Sequence, residues 1–323
     1  MTDAKNFALI GAAGYIAPRH LQAIKDTGNV LVAALDPNDS VGVIDRWFPD
    51  ADFFTEFERF DRHLEKLRRS GASRRVSYVS IASPNYLHDA HVRVALRVQA
   101  DAICEKPLVL RPWNLDALAE LEAESGHRVW CVLQLRHHPA IIALRERVRA
   151  SGGRHRVDLT YITPRGRWYG VSWKGNKEKS GGVAMNIGVH FFDMLQWIFG
   201  PPRRSAVHHA DERSMAGSLD LERADVRWFL SVDRGDLALA GRPEAATHRE
   251  LMIDGDAFEF SEGFTDLHTT VYRETLAGRG HGIADARPAI ELVHGLDQAA
   301  AAGGGSDEHP LVGLVRLARG ERS

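Results

Sequence analysis

Two kinds of apolar pattern alternate along the first half of the chain. Short aliphatic runs read FALIG, VLVAALD, YVSIAS, ADAICE and VWCVLQL. Between them, apolar residues recur every three or four positions over 19–25, 57–69, 87–98 and 113–124. The short runs predict buried strands, and the longer stretches predict amphipathic helices. Strands that alternate with helices in this way indicate βαβ units around a parallel sheet.

The pattern changes after about residue 150. The runs RVDLTYIT, VRWFLSVD and HRELMIDG follow one another with fewer helices between them, and helical periodicity returns at 186–199, 266–277 and 286–302. Strands gathered in this way predict an α+β domain with a large, mostly antiparallel, open-faced sheet. We therefore predict one α/β domain over 1–138 and a second domain over 139–323. The C-terminal helices could pack back on either.

Composition narrows the class of partner. With 323 residues, 44% hydrophobic and 26% charged, the chain is typical of a soluble protein with two cores. Lys and Arg (41) nearly balance Asp and Glu (43), so no broad positive field favours nucleic acid or a membrane surface. No apolar run reaches about 18 residues and the N-terminus lacks a secretory pattern, so we expect a cytoplasmic protein with a small-molecule partner.

The first predicted strand leads directly into Gly11-Ala12-Ala13-Gly14-Tyr15-Ile16-Ala17. This spacing has one residue more than the G-x-G-x-x-G dinucleotide fingerprint, but it meets the same physical demands. Gly11 permits a tight turn, Gly14 lets the backbone approach a pyrophosphate, and the following helix N-terminus, with Tyr15 and Ile16, favours an anion. Taken alone, the pattern is explained equally well by a plain turn.

Asp36 ends the second predicted strand, about 20 residues beyond the turn, as in dinucleotide-binding folds. A carboxylate there accepts hydrogen bonds from ribose hydroxyls and repels a 2′-phosphate, which favours NAD over NADP. The alternative is a solvated Asp that opens the turn Asp36-Pro37-Asn38. Together with the glycine turn, Asp36 predicts a Rossmann domain over 1–138 with NAD as its cofactor.

Three further motifs carry a family resemblance. They are Ser83-Pro84-Asn85-Tyr86-Leu87-His88, Glu105-Lys106-Pro107 and the run GGVAMNIGVHFFD at 181–193. With the glycine turn, they resemble the Gfo/Idh/MocA oxidoreductases and stand in that family's order. The resemblance implies an NAD-dependent dehydrogenase that acts on a CH–OH group, and it favours a cis peptide bond before Pro107.

Ligands bind outside the carboxyl ends of the strands in a parallel sheet. Ser83, Asn85, Glu105 and Lys106 follow such strand ends, and we expect them, with His88, to line the nicotinamide site. The alternative for Lys106 is a solvated lysine at a strand end. Glu105 would either position Lys106 or contact the cofactor.

In the third motif, Asn186, His190 and Asp193 fall at i, i+4 and i+7 and would share one helix face. An ordinary core histidine is the alternative for His190, because its neighbours are apolar. With the resemblance, we expect His190 to accept the hydroxyl proton and Lys106 to stabilise the developing alkoxide, although these roles are exchangeable. Asn186 stands where many relatives carry Asp, so it can orient a hydroxyl but cannot accept a proton.

The segment TPRGRWYGVSWKGNK at 163–177 mixes cations with aromatics. Arg165, Trp168, Tyr169 and Lys174 suit an anionic substrate that contains a ring, whereas the alternative is a solvated basic loop. The segment, with Asn186, is similar to a subgroup, the UDP-N-acetylglucosaminuronate 3-dehydrogenases. That resemblance implies oxidation of the C3 hydroxyl to a 3-keto UDP-sugar, in synthesis of diacetamido uronic acids for lipopolysaccharide O-antigen.

The subgroup resemblance also implies a homotetramer and allows 2-oxoglutarate as the reoxidant of NADH. No Cys, His and Asp cluster has metal-ligand spacing, so we expect no metal. Two other functions stay open. One is an inositol or simple sugar dehydrogenase of the same family, and the other is a non-enzymatic NAD-binding regulator. Retention of both Lys106 and His190 argues against the regulator.

Overall fold

The computed structural model describes residues 4–39, 42–260, 264, 266–303 and 305–320. It divides into two compact units, one formed by 1–137 with 265–287 and the other by 138–264 with 288–323. The C-terminal stretch is therefore shared between the units. Residues 265–287 join the first unit, and the remainder joins the second.

The first unit is built on a six-stranded parallel sheet in the order β3-β2-β1-β4-β5-β6. Its strands are β1 (Asn6–Ile10), β2 (Val30–Leu35), β3 (Asp52–Phe54), β4 (Tyr78–Ile81), β5 (Asp101–Cys104) and β6 (Val129–Cys131). Its first helices are α1 (Ala17–Asp26), α2 (Phe57–Arg69), α3 (His88–Arg97) and α4 (Pro112–Ser125). This arrangement confirms the predicted parallel α/β architecture.

The second unit contains a six-stranded mixed sheet in the order β12-β11-β7-β10-β9-β8. Its strands are β7 (His155–Ile162), β8 (Pro202–Ala210), β9 (Ser214–Leu221), β10 (Ala224–Ser231), β11 (His248–Ile253) and β12 (Asp256–Ala257). Only the β7–β10 pair is parallel among the described pairings, and the others are antiparallel. The mostly antiparallel second sheet is thus confirmed.

Helices complete the chain after α4. They are α5 (Pro139–Ala150), α6 (Arg167–Val171), α7 (Lys177–Ser180), α8 (Val189–Phe199), α9 (Gly235–Leu239), α10 (Leu267–Leu276), α11 (Ile283–Gln298) and α12 (Leu311–Ala318). Two predictions need correction. The segment 163–177 is only partly a loop, because α6, a 3₁₀ turn at Trp173–Gly175 and the start of α7 occupy most of its second part. The helix predicted from residue 186 begins earlier, as a π-helix at Ala184–Gly188.

The core of the first unit packs helices from both ends of its sequence on the sheet. Leu21 and Ile24 of α1 are fully buried with Phe7 and Leu9 of β1. Tyr272 of α10 is also fully buried in this cluster, with its ring centroid 5.8 Å from that of Phe7. α1 and α10 are therefore held side by side within this unit.

The two cysteines, Cys104 and Cys131, are both free and buried. Burial raises the pKa of the Cys104 thiol well above its ordinary value, so the thiol stays protonated and unreactive. In the part of the chain that the structure describes, no helix combines the length and apolar character that crossing a bilayer requires.

Candidate active site

The glycine turn leaves no room for a side chain at its first position. Gly11 has a φ of +91°, and a Cβ there would lie 2.6 Å from the carbonyl carbon and oxygen of Ala82. Its N–H donates to the Leu35 carbonyl at 2.8 Å, which pins the turn to the end of β2. At Gly14, a Cβ would lie 3.1 Å from the Gly11 oxygen. The turn therefore carries no side chain at Gly11 and Gly14, as close approach of a phosphate to the backbone requires.

Donor groups remain at the entrance to α1. Within the described residues, the N–H groups of Tyr15 and Ile16 make no hydrogen bond, and the Tyr15 side chain is 97% exposed. The N-cap residue of α1, Ile16, provides no side-chain cap. Two adjacent donors at a helix N-terminus suit an anion, so the turn fits the pyrophosphate of a dinucleotide.

Asp36 is buried and holds the turn in place. One carboxylate oxygen, Oδ2, accepts from the Ala13 N–H at 2.9 Å, and the other, Oδ1, accepts from the Asn38 N–H at the same distance. Asp36 therefore opens the turn at Pro37 and also braces the glycine segment. Oδ1 also accepts from Nδ2 of Asn38 at 3.2 Å, whereas Oδ2 has one further lone pair that could accept from a ribose hydroxyl.

The Ser83 motif folds into a buried hydrogen-bonded turn that continues into α3. The Ser83 hydroxyl lies 2.8 Å from Nδ1 of His91, and Asn85 is 7% exposed. His88 is 1% exposed, and its ring nitrogens lie 2.7 Å from the Pro107 carbonyl and 2.9 Å from the Ser83 carbonyl. His88 therefore joins the two strand-end segments.

Lys106 is half-buried at the end of β5, next to a buried carboxylate. Glu105 is 7% exposed, and its Oε2 accepts from the Lys106 N–H at 3.2 Å. The other oxygen, Oε1, contacts Nε2 of His20 and of His268. The peptide bond between Lys106 and Pro107 is cis, as the motif predicts. Glu105 is thus in contact with the Lys106 backbone, and both of its predicted roles stay predictions.

In the second unit, the π-helix and α8 present two polar residues away from the core. From 183 to 195, all residues except Asn186 and His190 are buried. Asp193, which is predicted to share their helix face, is more buried, at 3% exposure.

The basic and aromatic segment divides into buried and exposed parts. Tyr169 is 8% exposed, and its hydroxyl accepts from Nδ2 of Asn186 at 3.0 Å. Trp168 is 53% exposed and Arg165 is also exposed, whereas Lys174 lies with its Nζ 4.6 Å from the Trp173 ring centroid. The structure thus brings Tyr169 and Asn186 together and leaves Arg165 and Trp168 on the surface of this unit.

The structure also reveals two residues that the sequence motifs do not indicate, His20 and His268, which lie against Glu105. His20, Glu105 and His268 bring their side chains together in the first unit, although they belong to α1, the end of β5 and α10. Metal-ligand spacing could not find them, because Glu105 and His268 are 163 positions apart. The available signal was the i, i+4 spacing of His268 and Tyr272, which places both side chains on one face of α10.

Comparisons with known proteins place the chain in a family. Residues 5–132 match the oxidoreductase family with an NAD-binding Rossmann fold, Gfo/Idh/MocA, and residues 155–220 match the C-terminal α/β domain of that family. The chain belongs to the Gfo/Idh/MocA oxidoreductases. Its first unit is therefore an NAD-binding Rossmann domain, which agrees with the glycine turn and Asp36.

Within the family, the chain is similar to the WlbA (WbpB) dehydrogenase of Thermus thermophilus. The two are 51% identical, with a TM-score of 0.91, over 95% of this chain and 100% of that protein. One structure of that dehydrogenase contains NAD and α-ketoglutarate, and another contains NAD and UDP-GlcNAcA. The WlbA dehydrogenase of Bordetella pertussis shares the fold at 20% identity, with a TM-score of 0.75 over 93% of this chain and 96% of that one.

A curated relative from Amycolatopsis mediterranei carries the provisional name UDP-kanosamine synthase oxidoreductase subunit. It is 29% identical over 214 residues, which are 61% of this chain. The chain spans 59% of that relative's length.

Proposed function

We propose that the protein oxidises the C3 hydroxyl of UDP-N-acetylglucosaminuronate to the 3-keto sugar, with NAD as the hydride acceptor. The observation that carries this proposal is the 51% identity, over 95% of the chain, to a dehydrogenase whose structure contains NAD and UDP-GlcNAcA. The simultaneous presence of the glycine turn, Lys106 and His190 supports an enzyme rather than a regulator.

The two parts of the chain have separate tasks in this proposal. Residues 1–138 hold the dinucleotide through Gly11, Gly14, Tyr15, Ile16 and Asp36. Residues 139–323 hold the sugar and form the contacts between subunits. The nicotinamide, when bound, supplies the acceptor for the hydride that leaves C3.

Five residues of the second part, besides His190, are proposed to bind the sugar nucleotide. Arg165 and Lys174 provide cations for the diphosphate or the C6 carboxylate, and Trp168 provides a flat apolar surface for a ring. Tyr169 and Asn186, which are hydrogen-bonded to each other, offer a paired hydroxyl and amide for the sugar hydroxyls.

The proton chemistry is assigned to Lys106 and His190. Oxidation of an alcohol requires a group that takes the hydroxyl proton while the hydride leaves the same carbon. His190 accepts that proton, and Lys106 donates a hydrogen bond to the reacting oxygen as negative charge develops on it. The reverse assignment uses the same two residues.

The wider setting of the reaction rests on the resemblance. We place the product in the synthesis of diacetamido uronic acids for lipopolysaccharide O-antigen, in the cytoplasm, and we propose a homotetramer. The α-ketoglutarate bound to the Thermus protein supports 2-oxoglutarate as the reoxidant. Its ketone would accept the hydride from NADH and a proton from solvent, giving 2-hydroxyglutarate and NAD.

Variants of the two catalytic candidates test the assignment. Lys106→Met and His190→Asn should each lower kcat by about a hundredfold or more, with little change in the Kd of NAD, because both act on the reacting hydroxyl. NAD affinity measured by calorimetry controls for folding of the Rossmann domain. A variant that binds NAD normally and turns over at nearly the wild-type rate would remove that residue from the catalytic role.

Substrate preference tests the proposed sugar. We expect kcat/KM to decrease in the order UDP-N-acetylglucosaminuronate, UDP-N-acetylglucosamine, then free sugars and inositols. Loss of a charge-assisted contact to the C6 carboxylate should cost about 1.5–3 kcal/mol, or about ten- to a hundredfold in kcat/KM. Comparable kcat/KM for myo-inositol would instead indicate a simple sugar dehydrogenase.

A further inference from the structure

A buried hydrogen-bonded cluster lies behind the lysine motif in the first unit. Glu105 Oε1 lies 3.2 Å from Nε2 of His20 and 2.9 Å from Nε2 of His268. Nδ1 of His20 lies 2.7 Å from the Tyr272 hydroxyl, which in turn lies 2.6 Å from the Ser80 hydroxyl. All five residues are less than 9% exposed. Burying a polar group without a hydrogen bond costs free energy of folding, so each hydrogen bond in this cluster contributes to its stability.

The charges of the members determine which atom donates in each bond. Burial raises the pKa of the Glu105 carboxyl, but the hydrogen bonds from His20 and His268 outweigh it and hold that pKa well below its ordinary value. Glu105 is therefore an ionised acceptor, and both histidine Nε2 atoms must carry a proton. Burial lowers the pKa of His20, so its ring is neutral and Nδ1 is an acceptor.

The remaining hydroxyls then have defined roles. Burial raises the pKa of Tyr272, so its phenol stays protonated. The Tyr272 O–H donates to Nδ1 of His20, and the Ser80 O–H donates to the Tyr272 oxygen. Hydrogen bonds thus run in one direction from Ser80 through Tyr272 and His20 to Glu105.

The cluster connects the elements that carry the dinucleotide motifs. His20 lies on α1, directly behind the glycine turn, and Ser80 lies on β4, three residues before Ser83. Glu105 follows β5 and accepts from the Lys106 backbone N–H. His268 comes from α10, which is distant in sequence. A change at one histidine would therefore reach the lysine through the carboxylate.

We propose that His20 and His268 are positioning residues, which hold the Glu105 carboxylate and through it fix the backbone of Lys106. This inference rests on the proposed function, in which Lys106 contacts the reacting oxygen. Removing either donor would leave a buried carboxylate with one hydrogen bond fewer. The carboxylate would then move or take up a proton, and the Lys106 N–H would lose its fixed acceptor.

The same three side chains have the composition of a zinc site, because two histidines and a glutamate can bind Zn²⁺. Their candidate ligand atoms lie within 4.8 Å of one another. A hydrogen-bonded cluster explains their arrangement better, because the distances from Glu105 Oε1 to Nε2 of His20 and to Nε2 of His268 are ordinary hydrogen-bond lengths. The two interpretations differ in the tautomer of His20. A cluster requires the proton on Nε2, whereas a metal bound through Nε2 requires it on Nδ1.

Nitrogen-15 NMR of the histidine-labelled wild-type protein distinguishes these tautomers without any turnover. The His20 resonances are assigned by their loss in His20→Gln, and metal content is measured by elemental analysis. We expect a neutral His20 with its proton on Nε2 and a substoichiometric metal content. The Nδ1–H tautomer, or one zinc ion per chain, would overturn the inference and leave the proposed function intact.

Paired substitutions at His268 test the consequence for Lys106. His268→Gln keeps an N–H donor near Glu105, and His268→Met removes it. His309→Met is the matched control, since His309 is a buried histidine of the second unit that bonds Thr160 at 3.1 Å. We measure kcat, KM for UDP-N-acetylglucosaminuronate, the Kd of NAD, and Tm for each variant.

We expect His268→Met to lower kcat about tenfold or more, with the Kd of NAD within about threefold of wild type. His268→Gln should recover most of that loss, and His309→Met should lower Tm but keep kcat. Equal kcat in His268→Met and wild type would overturn the inference, as would equal losses in both His268 variants. If wild type itself does not oxidise the UDP-sugar, the proposed function fails, and the NMR result still decides the state of the cluster.

Discussion

Gly11→Ala should damage both dinucleotide binding and stability, because Gly11 combines a positive φ with a closed environment. Its φ is +91°, and a Cβ would lie 2.6–2.7 Å from the backbone of Ala82 and Ser83. A left-handed backbone costs a non-glycine residue about 1–2 kcal/mol. Forcing a methyl group against rigid backbone adds about 1–3 kcal/mol. The free energy of unfolding should therefore fall by about 2–5 kcal/mol, and the turn should move away from a phosphate.

Gly71→Ala provides the control that separates these two effects. Gly71 has a φ of +102°, but nothing lies within 4 Å of a Cβ there, so only the backbone cost applies. Urea unfolding gives the stability of both variants, and calorimetry gives the Kd of NAD. Gly11→Ala should lose more stability than Gly71→Ala and should bind NAD at least about tenfold more weakly. Equal stability losses, or unchanged NAD affinity in Gly11→Ala, would refute the close approach of the turn.

Three further predictions follow from single contacts. Asp36→Ala should weaken NAD binding by about ten- to a hundredfold and reduce the protein's preference for NAD over NADP. Calorimetry with both dinucleotides measures the two Kd values, and an unchanged preference would indicate that Asp36 only braces the turn. Tyr169→Phe removes the hydroxyl that accepts from Asn186, so kcat/KM for the UDP-sugar should fall about tenfold while the Kd of NAD stays constant. An unchanged kcat/KM would exclude Tyr169 and Asn186 from the substrate site. Burial lowers the pKa of His91 from 6.5 to about 4, so only the unfolded chain takes up a proton as pH falls between these values. Wild type should therefore lose about 2 kcal/mol more than His91→Gln between pH 7 and pH 5 in urea unfolding, whereas parallel losses would contradict this pKa.

The parallel sheet could be predicted because each of its longer strands is a short apolar run of its own. β1 and β5 are almost entirely buried, so their sequences carry the signal locally. β8 was not predicted, because its first residues are polar and partly or fully exposed, and its pairing with β9 determines it instead. β3 was missed for a related reason, since its three residues lie at the sheet edge and none is buried.

Some residues of the candidate site could likewise be predicted from their local sequence, whereas others depend on contacts between distant parts of the chain. Gly11, Asp36 and Lys106 could be predicted because each stands in a motif at a strand end. His20 and Tyr272 could not, because their hydrogen bond joins residues 252 positions apart. The π-helix before His190 was also missed, since its wider turn depends on backbone hydrogen bonds that apolar periodicity does not reveal.

The position of oxidation is the central claim, and isotope transfer tests it most directly. UDP-N-acetylglucosaminuronate that carries deuterium at C3 is incubated with the enzyme and NAD, and both products are analysed by mass spectrometry. We expect reduced nicotinamide that contains the deuterium, together with a 3-keto UDP-sugar that has lost it. Reduced nicotinamide without deuterium would contradict oxidation at C3, and absence of any reduced nicotinamide or keto sugar would contradict the proposed substrate.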